Sequence, residues 1–212
     1  MVHERLHALA DGIFAIAMTL LVLELRVPEL PHATNSELIH SLKDLLPSIY
    51  SFILSFLLLF IFWRAFNAII GTLAKTLDST AGLLSMVCLL LVCFVPFSSY
   101  FFGKYGSTQV GVIVYATNLI LIGTAFNMLR KYILKSSNVE TTDKWRRRDH
   151  RNATIRVMIP VFVSMIAIVV SYFSPRIAGV LLLGIVFINM FSRGFDWLFV
   201  ILDALKIGVD DV

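Results

Sequence analysis

Hydrophobic residues occur in six long runs along the chain, and polar or charged residues are concentrated in the segments between them. Each run extends over at least about 17 residues, the lower limit for a helix that crosses the hydrocarbon core of a bilayer. The pattern predicts an all-α polytopic membrane protein with about six transmembrane helices in a single transmembrane domain, residues 1–212. The predicted spans are residues 4–26, 45–71, 79–102, 108–134, 152–174 and 176–192, followed by a C-terminal tail at 193–212.

Two segments outside the hydrophobic runs have distinct sequence patterns. Residues 27–44 separate the first two spans and contain Pro28 and Pro31, so we predict an aqueous loop there. In the tail, residues 195–206 alternate bulky apolar residues with charged ones. This pattern fits either an interfacial helix or an extension of the sixth span.

Some polar and proline residues lie inside the predicted spans. Pro96 and Pro160 are expected to kink their helices or to mark helix ends. Polar side chains lie on one face of the second span and at scattered positions in later spans: Ser48, Ser51 and Ser55, and Asn118, Thr124, Asn127 and Asn189. We expect these side chains to form hydrogen bonds between helices rather than a binding site.

The composition agrees with a lipid environment. Apolar residue types make up 58% of the 212 residues, charged types only 15%, and the mean hydropathy is +0.84. A soluble domain of this length carries more charge and less apolar surface. Six spans with their connections use nearly the whole chain, which leaves no room for a soluble catalytic domain.

The basic residues indicate the orientation in the membrane. The densest basic run lies at 135–151, between the fourth and fifth spans, and contains Lys144, Arg146, Arg147, Arg148 and Arg151. The positive-inside rule places this loop in the cytoplasm. Counting the spans from there predicts that the N- and C-termini are also cytoplasmic. Because the run stands where a topology signal belongs, we expect no nucleic-acid partner.

The usual sequence patterns of enzymes and metal sites are missing from the chain. His3 and His7 have helical i, i+4 spacing, but they stand at the chain start with Glu4 as the only acid between them, so we interpret them as a solvated helix start. Cys88 and Cys93 are five residues apart in an apolar run and lie on different sides of a helix. The sequence also contains no Gly-rich phosphate loop and no Thr-Val-Gly-Tyr-Gly filter. We predict that the chain is not an enzyme and needs no cofactor.

The first span carries the most informative pattern. Asp11 is an ionisable residue inside a membrane helix, a costly position unless the carboxylate is paired or faces water. At about 100° per residue, Gly12, Ile16, Thr19 and Leu23 lie within an arc of about 60°, so they form one stripe along the helix. The stripe could line a pore on a symmetry axis, or it could be ordinary helix packing in which Gly12 allows a close approach.

The same span resembles the pore helix of a known channel family. Members of the lysosomal and endosomal potassium channel family, including bacterial relatives, carry Arg-x-x-x-Phe-Ser-Asp at the start of their first helix. Arg5 and Asp11 match this motif at the same spacing, whereas Leu9 and Ala10 replace the Phe and the Ser. The apolar sequence that follows is similar to bacterial members, and Phe62-Trp63 in the second span resembles a family Phe-Trp motif.

The resemblance implies a homotetramer of six-span subunits whose first helices surround a central pore, and a location in the inner membrane of a bacterial cell. By position, Ile16 falls on the residue that closes the pore, and Leu20 and Leu23 fall on further apolar rings. Thr19 falls on a hydroxyl layer that contributes to a modest preference for K⁺ over Na⁺, and Gly12 falls on the pore lining. Potassium is then the permeating ion rather than a bound cofactor.

Within this interpretation, Asp11 belongs to a structural network with Arg5 and residues of the second span. Arg64 and Asn67 lie near the cytoplasmic end of the second span, at a depth similar to that of Asp11. We expect one of them to be the partner of the Asp11 carboxylate.

A secondary transporter of a small ion or solute is the alternative function. Such proteins bind substrate near the bilayer midplane, commonly between structurally related halves with broken helices. The sequence has no related halves and few charged residues at the midplane. These observations favour the channel.

Overall fold

The computed structural model describes residues 2–27, 34–74, 77–136, 139 and 147–191. In these ranges the chain forms eight α-helices. They are α1 (Val2–Leu20), α2 (Asn35–Asp44), α3 (Leu46–Asn67), α4 (Ser79–Cys93), α5 (Val95–Tyr105), α6 (Gln109–Lys135), α7 (Arg147–Ser171) and α8 (Pro175–Phe191). A 3₁₀ turn, Leu21–Glu24, extends α1, and a π-helical segment, Ala68–Leu73, extends α3.

The apolar helices agree with a polytopic membrane protein. Four helical segments are long and apolar enough to cross a bilayer, namely Glu4–Glu24, Leu46–Gly71, Ser79–Tyr105 and Gln109–Lys135. The apolar parts of α7 and α8, Val157–Ser171 and Pro175–Asn189, are shorter. These six segments confirm the predicted fold class. The predicted tail at 193–212 and residues 140–146 of the basic loop lie outside the described residues.

The segment that was expected to be an aqueous loop contains a helix. The side chain of Thr34 accepts a hydrogen bond from the Glu37 amide, and the Glu37 carboxylate accepts one from the Thr34 amide. This capping box satisfies amide groups that a helix start otherwise leaves without partners. The prediction of a continuous loop at 27–44 is therefore wrong for α2.

The third predicted span is divided into two helices. α4 ends at Cys93, and α5 begins at Val95 with Pro96 in its first turn. A proline inside a helix removes one backbone hydrogen bond and its ring clashes with the preceding turn. This confirms the expectation for Pro96, whereas α7 continues through Pro160.

The core contains apolar residues of α1 and of α3 to α8. Phe62 and Phe126 meet edge to face with ring centroids 5.7 Å apart, and Phe66 lies 5.8 Å from the same Phe126 ring. Aromatic pairs at this distance contribute about 0.5–1.5 kcal/mol beyond the area they bury. These contacts fix α3 against α6.

Buried polar groups join α3, α5 and α6. The Ser51 hydroxyl donates to the backbone oxygen of Ser99 at 2.6 Å, and the Ser55 hydroxyl donates to Ser99 Oγ at 2.8 Å. The Tyr115 hydroxyl lies 2.8 Å from Ser55 Oγ, and Asn118 donates to a second α5 hydroxyl, that of Ser98, at 2.9 Å. These bonds confirm the interhelical role expected for Ser51, Ser55 and Asn118.

Candidate functional site

The first helix has one face buried in its own subunit. Ala10, Phe14, Ala17 and Leu21 recur every three or four residues, and each is at most 3% exposed. The Phe14 ring lies 6.2 Å from the Phe66 ring of α3. This spacing places one side of α1 in the core.

The predicted stripe lies on the opposite side of α1. Ile16 is 59% exposed and Leu23 is 61% exposed, and Thr19 and Gly12 are also exposed in the isolated subunit. No atom lies within 4 Å of the position that a Cβ on Gly12 would occupy. At about 100° per residue, the stripe points roughly half a turn away from the buried face. The four residues therefore share one open face, and their role in a pore stays a prediction.

The helical geometry changes at the C-terminal end of α1. The 3₁₀ turn has about three residues per turn, so side chains three positions apart lie almost in line. Leu20, the last residue of α1, and Leu23 are both exposed, whereas Leu21 is buried. The turn therefore directs Leu20 and Leu23 to the same face as Ile16.

Thr19 holds its hydroxyl in a defined orientation. The Oγ1 atom donates to the backbone oxygen of Ile16 at 2.9 Å. A hydroxyl has one proton and two lone pairs. Because the proton is directed to the helix, the lone pairs of the exposed oxygen remain available for a cation or water.

Asp11 contacts Trp63 and His7. The Trp63 indole Nε1 donates to Asp11 Oδ1 at 2.8 Å, and His7 Nδ1 lies 3.2 Å from Oδ2. The imidazole also lies against the π-helical segment, where a Cβ on Gly71 would be 3.1 Å from its Nε2 atom. The carboxylate is thus held between α3 and the first turns of its own helix.

These two partners of Asp11 differ from the predicted ones, Arg64 and Asn67. Arg64 is exposed, and among the described residues no ion pair links it to Asp11. Asn67, at the end of α3, is half-buried, and Arg5 on the first turn of α1 is exposed. Successive side chains on a helix point about 100° apart. Because Trp63 points toward Asp11, Arg64 points in a different direction. The i, i+4 spacing of His7 and Asp11 was visible in the sequence, whereas the contact across 52 residues with Trp63 depends on helix packing.

Comparison with known proteins agrees with the motif on α1. The model of the family described as endosomal/lysosomal potassium channel TMEM175 matches residues 5–96. A potassium channel from Chamaesiphon minutus is 36% identical over 131 residues, covering 60% of this chain and 64% of that protein. A potassium channel from a Chryseobacterium species is 26% identical over 178 residues, covering 84% of this chain and 87% of that protein.

The fold is also similar to that of a potassium channel, and this similarity extends over a longer part of the chain. The crystal structure of a lysosomal potassium-selective channel TMEM175 homolog from Chamaesiphon minutus superposes with a TM-score of 0.76 at 27% sequence identity. The superposition covers 90% of this chain and 97% of that chain. Motif, sequence similarity and fold thus agree: the chain is an integral membrane protein that is similar to the endosomal/lysosomal potassium channel TMEM175 family.

Proposed function

We propose that the chain is the subunit of a potassium-permeable channel in which four copies surround a central pore. The observation that carries the proposal is the open face of α1, where Gly12, Ile16, Thr19 and Leu23 lie opposite the residues that anchor the helix in the core. Of the four long apolar segments, the one containing α1 is the least buried in its own subunit. A helix that contributes little to its own subunit's core has surface available for the pore and for neighbouring copies.

In this arrangement, Ile16 forms the gate. Four branched aliphatic side chains around an axis offer an ion no oxygen ligands, and a narrow apolar ring excludes water. A modest widening admits a hydrated cation. Leu20 and Leu23 extend the apolar constriction toward the outer end of α1.

Thr19 supplies the selectivity. Its outward lone pairs can replace part of the hydration shell of a permeating ion, because its proton is already donated to Ile16. Potassium gives up water more readily than sodium, so a hydroxyl ring favours potassium. One layer of hydroxyls replaces fewer water molecules than stacked rings of backbone carbonyls, and the preference is modest.

The Asp11 contacts keep the pore helix in register with α3. The Trp63 bond fixes the rotation of α1, and this rotation determines whether Ile16 points to the axis. Arg5 and Asp11 stand at the cytoplasmic end, with both chain termini in the cytoplasm of a bacterial cell and the spans in its inner membrane. Potassium is the permeating ion, and the mechanism uses no cofactor.

Cysteine accessibility in the reconstituted channel tests the pore lining. The chain has two cysteines, Cys88 and Cys93, and their replacement by serine gives a background for Thr19→Cys. A membrane-impermeant cationic thiol reagent, added from the outer side while the channel conducts and its apolar rings are hydrated, should reduce potassium current through Thr19→Cys. It should have no effect on the control Ile166→Cys, on the exposed surface of α7. Equal loss of current in both variants, or in neither, would contradict a pore along α1.

A further inference from the structure

Lys104 and two tyrosines form a cluster on the surface of α5, distant in sequence from the pore residues. The Lys104 ammonium donates to the Tyr100 hydroxyl at 3.4 Å. Its Nζ atom lies 5.7 Å from the ring centroid of Tyr100 and 5.6 Å from that of Tyr105. All three residues are exposed, so this Lys104 cluster is open to a ligand.

The cluster lies where a membrane helix meets the water interface. The apolar segment Ser79–Tyr105 ends one residue after Lys104, and α6 re-enters the apolar region from Gln109. Tyrosines are enriched at this depth, because the ring is apolar and the hydroxyl is wet. A lysine near a helix end extends its ammonium to the same level.

Lys104 forms no ion pair with a carboxylate of the described residues, and the acid that shares a cavity with its neighbour Tyr100 is Glu24. The Lys104 nitrogen contacts two aromatic rings and one hydroxyl. Ring faces attract the ammonium but leave the net charge uncompensated. The anion that is present at this depth in every bilayer is the phosphate of a lipid headgroup.

We propose that the Lys104 cluster binds the phosphate of an anionic phospholipid in the adjacent leaflet. Lys104 attracts the phosphate as a point charge, the Tyr100 hydroxyl is positioned to donate to a phosphate oxygen, and the Tyr105 ring borders the first part of the acyl chain. A lipid bound there contacts the turn between α5 and α6. This role is independent of ion conduction.

Native mass spectrometry of the intact oligomer with added phosphatidylglycerol tests the proposal. Lys104→Gln should weaken phosphatidylglycerol binding by about fivefold, the effect of one lysine near an anionic lipid surface. Lys104→Arg should retain binding, and Tyr100→Phe should weaken it less than Lys104→Gln. The matched control is Lys43→Gln, which removes an exposed lysine from α2 without neighbouring aromatic contacts.

Three results would overturn the assignment. Unchanged binding in Lys104→Gln would exclude the cluster as the lipid site. Displacement of phosphatidylglycerol from the wild-type protein by inorganic phosphate would indicate a site for free anions. Dissociation of the Lys104→Gln oligomer with unchanged lipid binding per subunit would indicate that Lys104 contacts a neighbouring copy instead.

Discussion

The indole nitrogen of Trp63 and the carboxylate of Asp11 are joined by a 2.8 Å hydrogen bond, which connects α3 to the N-terminal half of α1. The second carboxylate oxygen lies 3.2 Å from His7 Nδ1. A carboxylate inside a membrane helix is costly without such partners. The bond therefore both stabilises Asp11 and sets the rotation of the helix that carries Ile16 and Thr19.

Trp63→Phe should destabilise the protein by about 1–2 kcal/mol, the cost of removing the donor of a partly exposed hydrogen bond to a charged group. The phenyl ring can retain the stacking with Phe60, whose centroid lies 5.8 Å from that of Trp63. Asp11→Asn is the matched variant, because the amide oxygen still accepts from Trp63. Thermal unfolding in detergent measures both changes. Equal stability of Trp63→Phe and wild type would exclude the proposed anchor.

Ile16→Asn should raise the resting potassium conductance. In the proposed pore, the amide side chain hydrates the Ile16 ring and removes the barrier that an apolar constriction presents to ions. Single-channel recording measures the change, and Ile166→Asn on the exposed surface of α7 controls for the substitution itself. Unchanged open probability and conductance in Ile16→Asn would place the gate at another residue.

Thr19→Ala should lower the permeability ratio of potassium to sodium, because the proposed layer of hydroxyls is lost. Thr19→Ser keeps the hydroxyl and its bond to the Ile16 oxygen, and should keep most of the preference. Reversal potentials under mixed potassium and sodium solutions measure the ratio. If Thr19→Ala and Thr19→Ser both kept the wild-type permeability ratio, selectivity would not depend on Thr19.

Gly123→Ala should separate α6 from α7. A Cβ at this position would lie 2.4 Å from Val161 Cγ2 and 3.2 Å from the Val157 oxygen, so the Val161 side chain or its helix must shift. Such overpacking costs about 1–3 kcal/mol. Gly82→Ala is the control, since no atom lies within 4 Å of its new Cβ, and alanine should add about 0.5–1 kcal/mol within a helix. The unfolding temperature should fall in Gly123→Ala and rise in Gly82→Ala. A higher unfolding temperature in Gly123→Ala would contradict the close packing of α6 against α7.

Asp78 should make stability depend on acidic pH. It caps α4 by accepting from the Ala81 amide at 2.8 Å, and the Tyr132 hydroxyl donates to its other oxygen. The bond from Tyr132, followed by that from Ala81, holds the pKa of Asp78 below its ordinary value of 3.8. A depressed pKa gives stability that is present above the unfolded value and is lost as the pH falls through the folded value.

Unfolding temperatures of wild type and Asp78→Asn test this linkage. The difference should be largest at about pH 6 and should shrink as the pH falls below the ordinary pKa of an aspartate. The side-chain oxygen of the substituted asparagine can still accept from the Ala81 amide, whereas its NH2 group cannot accept from the Tyr132 hydroxyl, so the variant removes the charge together with that bond. Only the charge makes the difference depend on pH. A difference that stays constant down to about pH 3 would show that the carboxylate charge contributes nothing.

The helical fold could be predicted because a bilayer requires long apolar runs, and each run is visible in the sequence. The stripe on α1 was predictable for a related reason. The spacing of Gly12, Ile16 and Thr19 fixes their common direction, and burial of Phe14 on the opposite side leaves that direction open. Helix α2 was missed although Thr34 and Glu37 form a readable capping box, because the neighbouring prolines suggested a loop.

The partners of Asp11 could be predicted only in part. His7 lies four residues before Asp11, a spacing that brings two side chains together on any α-helix. Trp63 is 52 residues away, and its contact depends on which face of α3 packs against α1. Arg64 and Asn67 lie at a similar depth in the membrane to Asp11, so the sequence predicted both equally as its partners. The rotation of α3, which is set by its buried residues Phe62 and Phe66, directs Trp63 toward Asp11 and Arg64 about 100° away from it.

The most direct test of the channel assignment is the reversal potential of purified wild-type protein in a planar bilayer under opposed potassium and sodium gradients. The account predicts unitary currents that reverse between the two equilibrium potentials, nearer that of potassium, and that shift toward the midpoint in Thr19→Ala. Transport that saturates at low turnover without unitary events would contradict a pore along α1.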